Sequence, residues 1–161
     1  FPKKGILFHD VTTLFKNKKS FHYVVRNLAA YYKNRHIDYV AAIEARGFIL
    51  GGALAQVFGC GFIPVRKPGK LPADTVSETY ELEYGTDKLE IHKDALNKGD
   101  KILLVDDLVA TGGTLVAGIR LVEKLGGEVV GVGVIIDMSE FGGRNKLKTY
   151  DFHFIVEYTG H

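Results

Sequence analysis

The segment 102–114 constrains the fold of this chain more than any other. Four apolar residues are followed by Asp106 and Asp107, then by a run of small residues at 110–114, and then by apolar residues at helical spacing. A short apolar run bounded in this way predicts a buried strand, and the periodicity after it predicts a helix over 114–125. The segment is therefore predicted to be a strand that ends at the two acids, a glycine turn and a helix.

The rest of the chain alternates between the same two patterns. A helix is predicted over 20–35 with Ser20 as its N-cap, and another over 47–58, closed by Gly59. Apolar runs predict strands over 39–43, 61–65, 101–105, 129–136 and 152–156. This alternation predicts an α/β fold with a mostly parallel central sheet and helices on both faces. Such sheets bind ligands beyond the carboxyl ends of their strands.

One stretch breaks the alternation. Residues 66–73 are polar and proline-rich, which predicts a loop. Two runs of alternating hydrophobicity follow at 79–84 and 88–92, separated by 85–87, and they predict a β-hairpin that projects from the core. We therefore expect 66–96 to form a flexible loop and a small β-hairpin hood.

Composition excludes several classes of protein. The 161 residues fit one domain, 1–161, and 46% hydrophobic with 25% charged residues is typical of soluble globular proteins. A net charge of +2 gives no indication of a nucleic-acid or membrane partner, and no apolar stretch approaches the roughly 18 residues of a membrane helix. The single cysteine, Cys60, cannot form an internal disulfide and favours a reducing, cytoplasmic setting. We expect it to be a small buried residue rather than a nucleophile.

The run at 110–114 has the composition of a phosphate-binding turn. Gly112 and Gly113 can adopt backbone angles that are closed to other residues, and they let a ligand approach the main chain. The amides of the turn and the helix N-terminus then suit a phosphate dianion, and threonine hydroxyls can add donors. A nucleoside-triphosphate P-loop is excluded because no Gly-Lys-Ser/Thr follows the glycines. The candidate phosphate-binding residues are Ala110, Thr111, Gly112, Gly113 and Thr114.

Asp106 and Asp107 are candidate ligands for a sugar. Carboxylates at the end of a strand can accept hydrogen bonds from ribose hydroxyls. They can also help to place Mg²⁺ through water, since that ion keeps several of its waters. Taken alone, the pair could instead cap the following helix, and a glycine pair alone is usually an ordinary turn.

A second anion site is predicted where the segment 44–47 follows a strand and opens a helix. Arg46 adds a planar fork of donors suited to a diphosphate, although a surface arginine is the alternative. About twenty residues further along, Arg66, Lys67 and Lys70 form a basic cluster. Such clusters are usually solvated, but beside a phosphorylated substrate this one would neutralise anions.

These residues resemble the signature of the type I phosphoribosyltransferases, which consists of four apolar residues, two acids and a Thr-Gly-Gly-Thr turn. The resemblance extends through 1–10, 44–48, 66–72 and 80–85, and it points to the members that act on adenine. It implies the type I phosphoribosyltransferase fold. Family members usually extend further before the equivalent of Phe1, so we expect residues upstream of it.

The resemblance implies transfer of the 5-phosphoribosyl group from 5-phosphoribosyl diphosphate to adenine. The products would be AMP and diphosphate, as in purine salvage, with Mg²⁺ carried by the substrate and no metal bound directly by the protein. A homodimer is the family expectation. The alternatives are a phosphoribosyltransferase for hypoxanthine-guanine or orotate, and a regulator that senses 5-phosphoribosyl diphosphate without turnover.

The resemblance also implies catalytic roles. Glu83 would transfer a proton to or from the imidazole ring of the purine, and Tyr84 would pack against the reacting substrates. Glu44, Ala45 and Arg46 would grip the diphosphate, in the family through an unusual cis peptide. Periodicity alone favours Glu83 and Tyr84 as ordinary hairpin residues.

For the base, the resemblance implies a pocket formed by the segment 7–9. Phe8 would lie against the purine plane, and the backbone of Leu7 and His9 would contact the ring edge and the amine. Without the resemblance, Phe8 could equally be a core aromatic.

In related enzymes, some of the side chains at the positions of Arg66, Lys67 and Lys70 serve the partner subunit's site.

Overall fold

The computed structural model describes residues 11–82 and 84–159. Its helices are α1 (Val11–Lys16), α2 (Lys18–Tyr31), α3 (Gly47–Phe58) and α4 (Gly113–Lys124). Its strands are β1 (Tyr39–Ile43), β2 (Gly61–Val65), β3 (Thr75–Leu82), β4 (Gly85–His92), β5 (Lys101–Val109), β6 (Glu128–Met138) and β7 (Phe152–Tyr158). Two short 3-10 segments, Ser139–Phe141 and Gly143–Leu147, connect β6 to β7.

The central sheet has five parallel strands in the order β2-β1-β5-β6-β7. The inner strands β1, β5 and β6 are buried along most of their length. Strands covered on both faces must be apolar on both faces, which is why these segments are continuous apolar runs without alternation. The predicted α/β fold with a mostly parallel sheet is confirmed.

Helices cover both faces of the sheet, as predicted. On one face α2 and α3 bury Leu28 and Leu50 against Leu103 of β5. On the other face α4 buries Leu115, which shares a core with Leu104 of β5. Successive residues of β5 therefore supply the two cores alternately, as the period of a strand requires.

Local signals placed the end of α3 correctly and both ends of α2 incorrectly. α3 ends at Gly59 in the left-handed conformation (φ 68°), as predicted. The prediction that Ser20 caps the second helix was wrong, because Asn17 is the N-cap. Its side-chain oxygen accepts the amides of Lys19 and Ser20, both at 3.0 Å. That helix also ends at Tyr31 rather than at residue 35.

The strand β5 is longer than predicted, and this changes the setting of the two acids. β5 continues to Val109 because β6 runs beside it to Met138, and Val109 pairs with Asp137. Asp106 and Asp107 therefore lie within the last half of the strand, where Asp106 pairs with Val134 of β6. The prediction that the strand ends at these acids was wrong.

The antiparallel hairpin of β3 and β4 forms a separate sheet, as predicted, but its turn lies elsewhere. Leu82 pairs with Gly85, so Gly85 already belongs to β4 and the turn is not formed by 85–87. The hairpin is fixed to the body of the protein by a bridge between Arg66 and Glu90. It is also fixed by Lys124 of α4, whose ammonium donates to Ser77 O at 2.8 Å.

Among the described residues, no helix is both long and apolar enough to cross a membrane.

Candidate active site

A cavity of about 300 Å³ opens at the carboxyl edge of the sheet, between β1, β5, the N-terminus of α4 and the hairpin. It brings together most of the residues that the sequence singled out. Those that line it are Glu44, Ala45, Arg46, Lys67, Asp106, Asp107, Ala110, Thr111, Gly112, Gly113 and Thr114. Arg66, Lys70 and Tyr84 do not line it, and Leu7, Phe8, His9 and Glu83 lie outside the described residues.

The turn at 110–114 depends on the conformation of Gly112. Its φ is +88°, in the left-handed region that favours glycine, and a Cβ there would lie 3.2 Å from the backbone of Gly143. Gly113 is less constrained, because a Cβ there would meet Tyr80 at an ordinary 3.5 Å. Of the two glycines, Gly112 is the one that the turn requires.

The amides of this turn are available as donors. Within the described part of the chain, the N–H groups of residues 111–114 donate to no other residue, and α4 has no side-chain cap. The first amide with a partner is that of Val116, which donates to Gly112 O at 3.0 Å. Unpaired donors at a helix N-terminus, together with the helix dipole, favour an anionic ligand.

Asp106 and Asp107 are both buried beside this turn. Asp106 Oδ1 accepts the amide of Asp107 at 2.8 Å, and Asp107 Oδ1 accepts the amide of Leu108 at 2.9 Å. Burial raises the pKa of Asp106 well above its usual range, and the neighbouring charge of Asp107 raises it further. The pair therefore resists carrying two full negative charges in the substrate-free state.

The remaining oxygen of Asp107 has an ion-pair partner but no hydrogen bond. Arg46 Nε lies 2.7 Å from Asp107 Oδ2, yet the alignment of the N–H is not that of a hydrogen bond, and this oxygen is buried without a donor among the described residues. A buried acceptor without a donor is costly unless a ligand supplies one. Asp107 Oδ2 is thus suited to accept a hydroxyl or an ordered water.

The segment 44–47 approaches the acids closely. A Cβ on Gly47 would lie 2.9 Å from Asp106 Oδ1, so glycine permits this contact. The Glu44–Ala45 peptide bond is cis, as the resemblance implied. The carboxylate of Glu44 accepts the Lys67 amide at 2.7 Å and Arg66 Nε at 3.2 Å, which ties this segment to the basic loop.

The structure separates the three residues of the basic cluster. Lys67 lines the cavity, and its ammonium forms an ion pair with Asp87 of β4, which raises the pKa of Lys67. Arg66 instead lies over the Phe48 ring, 5.5 Å from its centroid, and Lys70 is exposed outside the cavity. Only Lys67 is therefore placed to act on a ligand in the cavity of its own chain.

Two residues near the site were not among the site residues predicted from the sequence. Gly143 lies behind the turn, and its amide donates to Ala110 O at 2.9 Å. Tyr80 of the hairpin lines the cavity wall. The alternation of β3 would have placed Tyr80 on the buried face, whereas the contact of Gly143 spans more than thirty residues and has no local signature.

The carboxylates of Asp106 and Asp107 are suited to accept hydrogen bonds from the waters of a hydrated cation. In 11–82 and 84–159, no group of three or more histidine, cysteine, aspartate or glutamate side chains is arranged as a metal site. The buried Asp107 Oδ2 nevertheless lacks a hydrogen-bond donor, and carboxylate oxygens are the ligands or water acceptors that Mg²⁺ prefers.

Comparisons with known proteins agree with this geometry. The family model of the phosphoribosyl transferase domain matches residues 10–156. The adenine phosphoribosyltransferase of Halothermothrix orenii is 54% identical over 157 residues, which cover 98% of this chain and 92% of that protein. The enzyme of the same name from Chlorobaculum tepidum is 53% identical over 164 residues, covering 99% and 93%.

Solved structures match to a similar extent. The crystal structure of adenine phosphoribosyltransferase from Thermoanaerobacter pseudethanolicus has a TM-score of 0.89 and 50% identity, and the match covers 92% of this chain and 87% of that one. The enzyme from Trypanosoma brucei, in complex with AMP, pyrophosphate and ribose-5-phosphate, has a TM-score of 0.84 and 25% identity, with coverage of 92% and 68%. By sequence and by fold, this chain belongs to the phosphoribosyl transferase family, within the group of adenine phosphoribosyltransferases.

Proposed function

We propose that this chain transfers the 5-phosphoribosyl group from 5-phosphoribosyl diphosphate to adenine, giving AMP and diphosphate. The observation that carries the proposal is one cavity lined by turn amides without a partner among the described residues, by two buried acids and by Arg46. The amides match the 5′-phosphate of the sugar substrate, the two acids match its ribose, and Arg46 matches its diphosphate. The high identity to adenine phosphoribosyltransferases supports adenine as the base.

The 5′-phosphate binds at the turn formed by 110–114. Its oxygens accept the N–H groups that have no partner within the described chain, while Thr111 and Thr114 add hydroxyl donors. Since the turn carries no acidic side chain of its own, the phosphate meets only donors there. Binding at this end fixes the sugar without contributing to the chemistry.

The ribose hydroxyls lie against Asp106 and Asp107. Asp107 Oδ2, which accepts no hydrogen bond from the described residues, accepts one from the sugar. Asp106 and Asp107 would orient the waters of an Mg²⁺ ion carried by the substrate, and that ion would supply positive charge to the diphosphate. Because burial holds the pKa of Asp106 high, binding of a cation nearby favours its ionised form.

The diphosphate leaves toward Arg46 and Lys67. Cleavage of the bond at the anomeric carbon leaves an oxocarbenium-like sugar and a departing anion, so the protein stabilises charge and has little covalent work. Arg46 must leave Asp107 in order to bind the diphosphate, which the backbone of Glu44 and Ala45 also binds. Lys67 must likewise leave Asp87 in order to bind it.

The residues assigned to the base and to proton transfer rest on the family resemblance. Leu7, Phe8 and His9 hold the adenine, and Glu83 transfers the proton at the imidazole ring. Tyr84 is 92% exposed at the hairpin tip, which leaves it available to cover the substrates when the hairpin closes and excludes water. Domain 1–161 acts as one unit in which the flexible part of 66–96 is the end of the hairpin that carries Tyr84, while Arg66, Glu90 and Lys124 hold its base.

The assembly and the compartment are likewise inferred. In a homodimer, Arg66 and Lys70 are available to the partner subunit's site, since both lie outside the cavity of their own chain. A cytoplasmic location fits Cys60, which is partly buried and whose thiol pKa is raised by that burial.

A transfer assay with radiolabelled bases tests the proposal. Purified protein is incubated with 5-phosphoribosyl diphosphate, Mg²⁺ and one of adenine, hypoxanthine, guanine or orotate, and the nucleotide product is quantified. We expect AMP from adenine and little product from the other bases. Turnover of another base in preference to adenine would contradict the assignment of the base, and binding of 5-phosphoribosyl diphosphate without any turnover would instead identify a sensor.

A further inference from the structure

The phosphate-binding turn is held from behind by a second segment of chain. The amide of Gly143 donates to Ala110 O at 2.9 Å. A Cβ on Gly143 would lie only 2.4 Å from that oxygen and 3.0 Å from Gly112 N. The backbone of the 3-10 segment Gly143–Leu147 therefore contacts the turn directly, in a space that excludes any side chain.

This segment is in turn fixed by an arginine-carboxylate pair. Arg144, the neighbour of Gly143, directs Nε and Nη2 at Asp137 Oδ2, at 2.7 and 2.6 Å. Its guanidinium also lies over the Phe154 ring, 4.5 Å from the centroid, and its Nη2 lies 3.5 Å from Glu157 Oε1. An arginine held on a carboxylate and on an aromatic face has little freedom to move.

The carboxylate end of the pair is rigid as well. Asp137 is fully buried, and its Oδ1 has no hydrogen-bond partner among the described residues, so Arg144 supplies its compensating charge. A buried carboxylate with a single cationic partner holds that partner strongly, since separation would leave its charge uncompensated. Asp137 also pairs in the sheet with Val109, the residue before Ala110.

We infer that Asp137 and Arg144 are positioning residues for the ribose-phosphate half of the substrate, acting through Gly143 on the phosphate turn. The inference rests on the proposed function, which places the 5′-phosphate at that turn. Neither side chain lines the cavity. The amides of the turn take their position from the strand before it, from α4 after it and from Gly143 behind it, and of these Gly143 is the contact that Arg144 holds in place.

The test compares Arg144→Gln with Arg144→Lys and with a matched control, Arg35→Gln. Arg35 forms an ion pair with Asp151 and is about as exposed as Arg144, with side-chain exposures of 48% and 43%. Ribose 5-phosphate and Mg-diphosphate serve as separate probes in calorimetric titrations, and thermal unfolding of each variant reports its stability.

We expect Arg144→Gln to weaken ribose 5-phosphate about tenfold, because displaced turn amides lose alignment with the phosphate. Diphosphate, which binds at 44–46, should keep its affinity. Arg144→Lys should recover part of the loss, since it keeps the charge but not the fork. Arg35→Gln should leave both affinities unchanged even where it lowers the unfolding temperature.

Gly143→Ala provides an independent variant, should Arg144→Gln fold poorly. The added Cβ would press on Ala110 O, and we expect the same selective loss of ribose 5-phosphate. Gly52→Ala is its control, because a Cβ there meets nothing within 4 Å. If the Arg144 and Gly143 variants bind ribose 5-phosphate as tightly as wild type, the inference is wrong and the proposed function is unaffected. A wild-type protein that binds no ribose 5-phosphate would overturn the proposed function and the inference with it.

Discussion

Arg46 and Asp107 form an ion pair across the candidate site, with 2.7 Å between Nε and Oδ2. The arginine is half exposed, whereas the carboxylate is almost completely buried. In the proposed mechanism these residues bind different parts of the substrate, the diphosphate and the ribose. The two side chains therefore balance each other's charge, and in the proposed mechanism the substrate must replace this contact.

Replacing Arg46 tests this exchange. Arg46→Gln should raise the KM for 5-phosphoribosyl diphosphate and lower kcat, because the departing charge loses a donor and Asp107 loses its cationic partner. A hydrogen bond to a charged group contributes about 1.5–3 kcal/mol, which corresponds to roughly tenfold to a hundredfold in kcat/KM. Steady-state kinetics measure the effect, with exposed Arg26→Gln as the control. Equal kcat/KM in both variants would remove Arg46 from the mechanism.

Gly112 and Gly113 should respond differently to the same substitution. Gly112→Ala forces alanine into a left-handed conformation, at a cost of about 1–2 kcal/mol. It also crowds Gly143. Gly113→Ala meets only ordinary contacts, and a larger residue there would press on Tyr80 rather than block the turn. We expect titration with ribose 5-phosphate to show the larger loss of affinity for Gly112→Ala. A larger loss for Gly113→Ala would show that Gly112 is not the glycine whose conformation the turn requires.

The role proposed for Glu83 predicts a kinetic signature. Glu83→Gln removes the group that exchanges a proton with the purine ring but keeps its size. Turnover should fall by about 10²-fold or more, in line with the usual contribution of a general acid or base, while the KM values change little. The measurement is kcat with saturating adenine and 5-phosphoribosyl diphosphate. Full turnover in Glu83→Gln would show that another group moves the proton.

His153 predicts a dependence of stability on pH. Its ring stacks on Tyr31, 4.0 Å between centroids, and its Nε2 lies 2.8 Å from Asn27 Oδ1. Burial lowers the pKa of His153 below its usual value in the folded state. As the pH falls below about 6.5, the unfolded chain takes up this proton first, so the free energy of unfolding should decrease.

Urea unfolding at about pH 7.5 and about pH 5.5, on either side of the usual histidine pKa, measures how the free energy of unfolding depends on pH. His153→Gln should lose part of the stability difference between the two conditions, whereas His22→Gln, a change at an exposed histidine of α2, should keep it. The same difference in wild type and His153→Gln would assign the effect to other groups.

The sequence predicted those parts of the fold whose causes are local. The apolar runs of β1 and β2 and the glycine that closes α3 are visible within a few residues, and all were placed correctly. The Thr-Gly-Gly-Thr turn likewise combines several short-range signals. Asn17 was missed because Ser20 offered an equally good capping residue three positions later.

Features set by distant contacts could not be predicted in the same way. The length of β5 depends on the ladder with β6, and the tip of the hairpin depends on the register that pairs Leu82 with Gly85. The support of the turn by Gly143 requires the chain to return after β6. Likewise, nothing in the order of residues shows that Lys67 enters the cavity while Arg66 and Lys70 do not.

The proposed function depends most on the binding of a 5′-phosphate by the amides of the turn at 110–114. A crystal structure with bound ribose 5-phosphate measures it most directly. We predict phosphate oxygens at about 3 Å from the amide nitrogens of residues 111–114, with ribose hydroxyls on Asp106 or Asp107. A turn that stays empty at saturating ligand, with its amides hydrogen-bonded to the protein itself, would contradict the account.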